Sequence, residues 1–575
     1  MGCKNNIIDY LEQWAIAAPE RVFLAQKSKG SRWEALSYAE AWRRVQGVAQ
    51  ALLNMGLGEQ TPIAILSGAS FDHAVLTFAG MLVGIPVSPI SPSYTLLPAA
   101  RSRLAEIAEV LQPGLVFAQD AARYLDIRGM PALARASWLC ADAVDSGIPL
   151  ISDLYDSLPG EGVFEARRAV SSSTVAKILF TSGSTGPPKG VLNTQGMLCS
   201  ATQATALVVS SDSFPIALDW LPWHHTVGGN ATLHSVLREG GTLYIDDGRP
   251  TPAEFSKTIE NIRHVRPTTL LSVPSAIQML TDALEADDNL RKAFFSRLQR
   301  MNYAGASLPQ EVWSRMQALA MRTIGSQIAF GSGYGTTETG PGISITHWPS
   351  QGGGEIGLPF PGLTIKLVPM EDSYEVRVKG PNVTPGYFER PDLTAEAFDE
   401  EQFYRVGDLV RFVDPERPEN GLRFAGRLSE NFKLTNGTWV ATGELRLALV
   451  EACQPLVTDL VVTGPDRDDI RLMVWVHPAE RKRAGGTVDG AMDPAVYGAI
   501  ALRVAEKLRA HNRNAGGRTY RVSAFRILQT PASIGAGETT DKGYVNQRGV
   551  LTRRAALVDE LYAEEPSAEV IRIDA

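Results

Sequence analysis

Up to about residue 354 the chain alternates between two hydrophobic periods. Residues 38–56, YAEAWRRVQGVAQALLNMG, carry apolar side chains at helical spacing, and the short apolar run PIAILS follows at 62–67. Residues 72–84, DHAVLTFAGMLVG, predict a second helix, and PVSPI at 86–90 a second strand. Amphipathic helices interleaved with short apolar strands predict layered α/β sheets with largely parallel pairing, because a strand covered on both faces shows no polar side. From about residue 354 the period shortens to two, in GLTIKLVPM at 362–370 and YEVRVKG at 374–380. That alternation predicts a β-rich subdomain over about 354–425.

Beyond residue 434 strand and helix patterns mix. DLVVTG at 459–464, RLMVWVHP at 471–478 and RVSAFRIL at 521–528 read as strands, and AVYGAIALRVAEKLRAH at 495–511 as a helix. The segment 481–493, RKRAGGTVDGAMD, reads as an exposed loop. The expected division is a large N-terminal domain at 1–425, a hinge at 426–434 and a small, mobile α+β domain at 435–575.

Composition narrows the class. A chain of 575 residues with 44% hydrophobic and 21% charged residues is ordinary for a soluble globular protein. A net charge of −8 gives no reason to expect nucleic acid or an anionic membrane as partner, and says nothing of oligomeric state. The amino terminus MGCKNNIIDYLEQW lacks the layout of a signal peptide and the hydroxyl at position 6 of a myristoylation motif. Cys3, Cys140, Cys199 and Cys453 are scattered without a C-x-x-C pair, which speaks against a disulfide frame or a cysteine zinc site. The expectation is a cytoplasmic protein.

The most informative stretch is TSGSTGPPKG at 181–190. Gly183, Gly186 and Gly190 let backbone N–H groups approach an anion, and Thr181, Ser182, Ser184 and Thr185 add hydroxyl donors. Lys189 adds a mobile cation. This is a phosphate cradle by composition. It is not a Walker loop, which needs G-x-x-x-x-G-K-[ST]; here Pro188 precedes the lysine and Gly190 follows it. A motor-type P-loop ATPase is excluded.

The stretch resembles the signature of the AMP-forming adenylating enzymes, the superfamily of acyl-CoA synthetases, nonribosomal adenylation domains and firefly luciferase. Further segments similar to that family's motifs follow in order: YAGASLPQE at 303–311, GSGYGTTETG at 331–340, YRVGDLVRF at 404–412 and GRLSENFKL at 426–434. The resemblance implies that the 181–189 loop holds the β- and γ-phosphates of ATP. It places Gly305, Ala306 and Tyr334 beside adenine, Gly333 and Gly335 in the nucleotide site, Thr337 at the α-phosphate, Glu338 on Mg²⁺, and Asp408 on the ribose hydroxyls. Arg427 would contact ribose or phosphate, and Lys433 joins the nucleotide site. The long stretch at 375–398 matches a structural signature of the family and carries no assigned chemistry. Lys542, in ETTDKGYVNQRGVLTRR at 538–554, matches the family's catalytic lysine. An ammonium there would offset the charge that builds when a carboxylate attacks the α-phosphorus. The hinge departs from pattern at Ser429, where many relatives have Asp or Lys, and by one extra residue before the glycine in TNGTWVATGELR at 435–446.

Residues 218–250, LDWLPWHHTVGGNATLHSVLREGGTLYIDDGRP, resemble the feruloyl-CoA synthase branch, as do KLTNGTWV at 433–440 and the carboxy-terminal DKGYVNQRGVL. His225 aligns with the family's pocket-gating histidine, while His224 stands where the branch suggests Asn. Trp223 with Gly228 and Gly229 suits a flat aromatic acid, although a core role for Trp223 is equally open. The resemblance implies activation of a hydroxycinnamate-like acid by ATP and Mg²⁺, with CoA as acyl acceptor. Alternatives are an amine acceptor, activation of nitrite for diazotisation of an aryl amine, or a non-catalytic nucleotide sensor. The presence of Lys542, Glu338 and Asp408 weighs against the sensor.

Overall fold

In the computed structural model, residues 4–28, 31–142, 147–181, 188–209, 213–251, 253–348, 350, 352–487, 491–533, 537–539 and 545–573 are described. They form two units. The first comprises residues 1–366, 377–406 and 412–423, and the second residues 367–376, 407–411 and 424–575.

In the first unit the predicted alternation becomes two sheets. Helix Tyr38–Asn54 starts where Ser37 accepts a hydrogen bond from the Glu40 N–H, and helix Phe71–Leu82 where Ser70 accepts from the His73 N–H. Phe71–Leu82 is buried on almost every face, which explains its unbroken apolar run. One sheet orders the strands Ser137–Asp142, Leu115–Asp120, Ile63–Ile65, Val87–Pro89, Val175–Thr181 and Lys189–Thr194. All are parallel except the last, which folds back as a hairpin.

The second sheet contains six consecutive parallel strands: Val22–Lys27, Thr242–Ile245, Ile216–Asp219, Thr269–Ser272, Arg300–Ala304 and Ala329–Tyr334. Trp33–Ser37 closes one side antiparallel. On the other, Ser344–Ile345 and Glu355–Pro359 continue the sheet antiparallel, so the β-rich stretch begins as an extension of the α/β sheet. Ligands of such sheets gather beyond the carboxyl ends of parallel strands. Those ends lead into residues 220–232, Gly305 and Gly335.

In the second unit the strands Val457–Thr463, Ile470–Val476, Val522–Ile527 and Val570–Arg572 form one sheet. Leu460, Val462, Leu472 and Val474 pack with Leu445, Leu449, Ile500 and Val504 from helices Thr442–Ala452 and Pro494–Asn514. The alternate residues Val461, Met473 and Trp475 pack with Val550 and Leu561 from the helices Gln547–Arg553 and Ala555–Leu561. Two covered faces account for the continuous apolar runs in these strands. The expected loop at 481–493 is corrected at its start: Pro478–Arg483 is a short helix, with proline at its first position and Glu480 and Arg481 buried. Among the described residues, no helix is long and apolar enough to cross a membrane.

Candidate active site

Thr181 and Lys189 pair across the antiparallel strands Val175–Thr181 and Lys189–Thr194, with Phe180 opposite Gly190. Thr181 therefore ends a strand, and the loop hangs from a hairpin whose two ends are fixed. Ser182, Gly183, Ser184, Thr185 and Gly186 lie outside the described residues. The hairpin is anchored by residues 384–388. Phe388 N–H donates to the Gly190 carbonyl at 2.7 Å, Leu192 N–H to Gly386 at 3.1 Å, and Thr384 Oγ1 to the Leu192 carbonyl at 2.7 Å.

This anchoring delivers a residue to which the sequence assigned no chemistry. Lys189 Nζ lies 5.3 Å from the centre of the Tyr387 ring, and the Tyr387 hydroxyl donates to Glu338 Oε1 at 3.1 Å. Burial, reinforced by the Glu338 charge, pushes the Tyr387 hydroxyl well above the usual phenol range, so it remains a donor at neutral pH. Glu338 itself lies in the short turn Thr337–Thr339, which Asn382 braces by donating to the carbonyls of Thr339 at 2.8 Å and Gly342 at 2.6 Å. Lys189 and Glu338 thus meet at Tyr387, one beside its ring and the other at its hydroxyl.

The predicted adenine-side residues leave neighbouring strand ends together. Arg300–Ala304 and Ala329–Tyr334 pair in parallel with Ala304 opposite Gly333, so Gly305–Ala306 and Tyr334–Gly335 emerge side by side. Gly335 is required by close approach, since a Cβ there would lie 1.7 Å from the Pro341 carbonyl oxygen.

The segment after Ile216–Asp219 carries His224 and His225, whose ring centres are 4.4 Å apart. Trp223 is a core residue, 3% exposed and edge-on to His73 at 5.1 Å. Gly228 and Gly229, expected beside a flat acid, also have a packing reason to be glycine. A Cβ at Gly229 would lie 2.2 Å from the Trp223 carbonyl oxygen and one at Gly228 2.6 Å from that of Leu221. The glycines let the π-helix Val227–Thr232 pack directly on the backbone of residues 221–223.

In the second unit Asp408 is 6% exposed, and its Oδ1 lies 3.7 Å from Nε of the exposed Arg427. Ser429 lies in the turn Leu428–Glu430, and the Glu430 carbonyl accepts from Thr442 Oγ1 at 2.8 Å. Lys433 pairs with Trp439 across a two-stranded ribbon, its Nζ 5.0 Å from the indole centre. Lys542 lies outside the described residues. The residues flanking its segment are fixed: Thr539 bridges Val545, Asn546 N–H donates to the Glu538 carbonyl at 2.8 Å, and Glu538 pairs with Arg554 at 2.7 Å.

Residues 11–388 match the family described as AMP-binding enzyme. The chain belongs to this AMP-binding enzyme family. It is 26% identical to a carboxylic acid reductase of Segniliparus rugosus over 93% of its own length and 47% of that protein's. It therefore spans about half the length of the reductases it matches. A long-chain-fatty-acid–CoA ligase, FadD15 of Mycobacterium bovis, is 24% identical over 93% of each chain. Among solved structures, the anthranilate CoA ligase AuaEII in complex with anthranoyl-AMP superposes with a TM-score of 0.76 at 18% identity, covering 97% of this chain and 99% of that one. The likeness establishes the fold: a large α/β portion followed by a smaller α+β region.

Proposed function

We propose that this member of the AMP-binding family activates an aromatic, hydroxycinnamate-like carboxylic acid as its acyl-adenylate, releasing pyrophosphate, and then passes the acyl group to CoA. The observation that carries the reading is the convergence of Lys189, Tyr387 and Glu338 at the base of the 181–189 hairpin. A cation, a neutral donor and a carboxylate there suit a triphosphate and its counter-ion. The choice of an aromatic acid and CoA draws support from the anthranilate CoA ligase, a protein in complex with anthranoyl-AMP whose fold matches nearly the whole of this chain.

In this reading Thr181 to Lys189 hold the β- and γ-phosphates, and Thr337 the α-phosphate. Gly305, Ala306 and Tyr334 flank adenine, with Gly333 and Gly335 in the same nucleotide site. Asp408 and Arg427 take the ribose side, with Lys433 nearby. His225 borders the acyl pocket. Lys542 approaches the α-phosphate from a mobile domain at 435–575 that turns about the 426–434 hinge. Mg²⁺ fits Glu338. Among the described residues no cluster of three or more His, Cys, Asp or Glu is placed to hold a metal. One carboxylate supplemented by substrate phosphates is the ordinary magnesium arrangement. When bound, the ion neutralises the triphosphate.

Mass spectrometry of products from a panel of aryl acids with ATP and Mg²⁺, with and without CoA, tests the proposal. An acyl-CoA from a hydroxycinnamate confirms it. AMP formed without thioester redirects the acceptor to an amine or, with aminoaryl acids and nitrite, to diazotisation; no acid-dependent AMP overturns it.

A further inference from the structure

A lysine in the middle of an apolar strand demands a reason. Lys177 lies in VAKILFT, is 1% exposed, and among the described residues has no carboxylate as a hydrogen-bond partner. Its Nζ donates to the Gly229 carbonyl at 2.7 Å and to Asn230 Oδ1 at 3.0 Å. Asn193, opposite Lys177 in the hairpin ladder, accepts from Asn230 Nδ2 at 2.9 Å, and Thr226 Oγ1 accepts from the same nitrogen at 3.1 Å. Both strands of the hairpin that presents Thr181 and Lys189 therefore grip one amide side chain.

That amide belongs to the π-helix Val227–Thr232, where local bonding is rearranged. The Leu233 N–H, which an α-helix would give to Gly229, is directed to the carbonyls of Gly228 and Asn230. The Gly229 N–H donates back to the His225 carbonyl at 2.9 Å, while its own carbonyl accepts from Lys177. One path from the hairpin to His225 thus runs through Gly229 alone, and a second runs through Asn230 to the adjacent Thr226. A neutral amine has two N–H donors, matching the two oxygens, so the grip persists in either protonation state.

We propose that Lys177 is a positioning residue that, with Asn193, locks the His225–Thr232 turn to the phosphate-loop hairpin and so sets the seat of the acid substrate relative to ATP. The inference rests on the adenylation reading and adds to it a specificity-determining contact remote from the reacting atoms. Loss of the grip would loosen the turn without removing any group that touches ATP. The burial of Lys177 on two neutral oxygens, with no counter-charge paired to it among the described residues, is consistent with a structural commitment of this kind.

The test is steady-state pyrophosphate release by the full chain, unaltered and as Lys177→Met, Asn230→Ala, Asn193→Ala and the double variant K177M/N230A. The expected result is an acid KM raised about tenfold or more in each single variant, with the ATP KM within about threefold and an altered ranking of acids. The double variant should fall short of the sum of the two single ones, because both remove the Lys177–Asn230 hydrogen bond. Equal rises in both KM values, additive effects or unchanged acid KM would overturn the inference. Should Lys177→Met fail to fold, Asn193→Ala leaves the bonds of Lys177 in place and gives the same readout. No acid-dependent pyrophosphate from the unaltered protein would instead overturn the adenylation reading itself.

Discussion

The Tyr387 hydroxyl donates to Glu338 Oε1 at 3.1 Å, and this bond joins two segments that are far apart in the chain. A hydrogen bond to a charged group typically contributes about 1.5–3 kcal/mol when one partner is removed. Tyr387→Phe should therefore lower kcat for adenylation about tenfold or more, with acid KM little changed. Glu338→Gln should lower it further and raise the Mg²⁺ concentration needed for half-maximal rate. Magnesium titrations of the two variants check both outcomes.

Lys542→Ala should abolish adenylate formation while leaving thiolysis of supplied acyl-AMP largely intact. An ammonium at the α-phosphate is worth about 3 kcal/mol or more to the first half-reaction and nothing to the second. Measuring the half-reactions separately checks this, and equal loss of both would remove Lys542 from the assigned role.

Asp408→Ala should raise the Kd for ATP about tenfold, as expected when a carboxylate accepting ribose hydroxyls is lost. Calorimetric titration provides the value. Unchanged affinity would take Asp408 out of the ribose site.

Burial pushes the Lys177 amine down to about 7, whereas an unfolded lysine holds its proton to about 10.4. Between these values the unfolded chain binds more protons than the folded one, so stability rises with pH, by up to about 1.4 kcal/mol per unit. Below pH 7 both states carry the proton and this contribution is flat. His73, pushed down to about 3, and His234, held well below the usual imidazole value, are neutral throughout the window. Asp219, pushed up to about 7, acts below it. Urea midpoints at pH 7.5 and 9.5 should therefore diverge less in Lys177→Met than in the unaltered protein.

Gly229→Ala should destabilise the first unit by about 1–3 kcal/mol, because its methyl would collide with backbone at Trp223. Thermal unfolding measures the loss.

Much of this architecture is legible from pattern because helix caps and apolar runs are local. Ser37 and Ser70 start helices where the amphipathic pattern begins, and the covered strands of the second unit read as unbroken hydrophobic runs. Motif residues such as Lys189 and Glu338 are legible because their chemistry is written in short contiguous strings. Tyr387 was not, because its role arises only when residues 384–388 pair with the hairpin. Trp223 and Gly229 were ambiguous for the same reason: an aromatic and a glycine look alike whether they face a ligand or a neighbouring backbone. Lys177 did leave a signal, a charge inside an apolar strand, but its partners Gly229 and Asn230 are more than fifty residues away.

Adenylation as proposed requires a carboxylate oxygen to attack the α-phosphorus of ATP. Turnover with an acid labelled with ¹⁸O in its carboxyl group, followed by mass spectrometry of the nucleotide product, tests it most directly. The expected product is AMP carrying one ¹⁸O atom after acyl transfer. Unlabelled AMP, or ADP in its place, would contradict it.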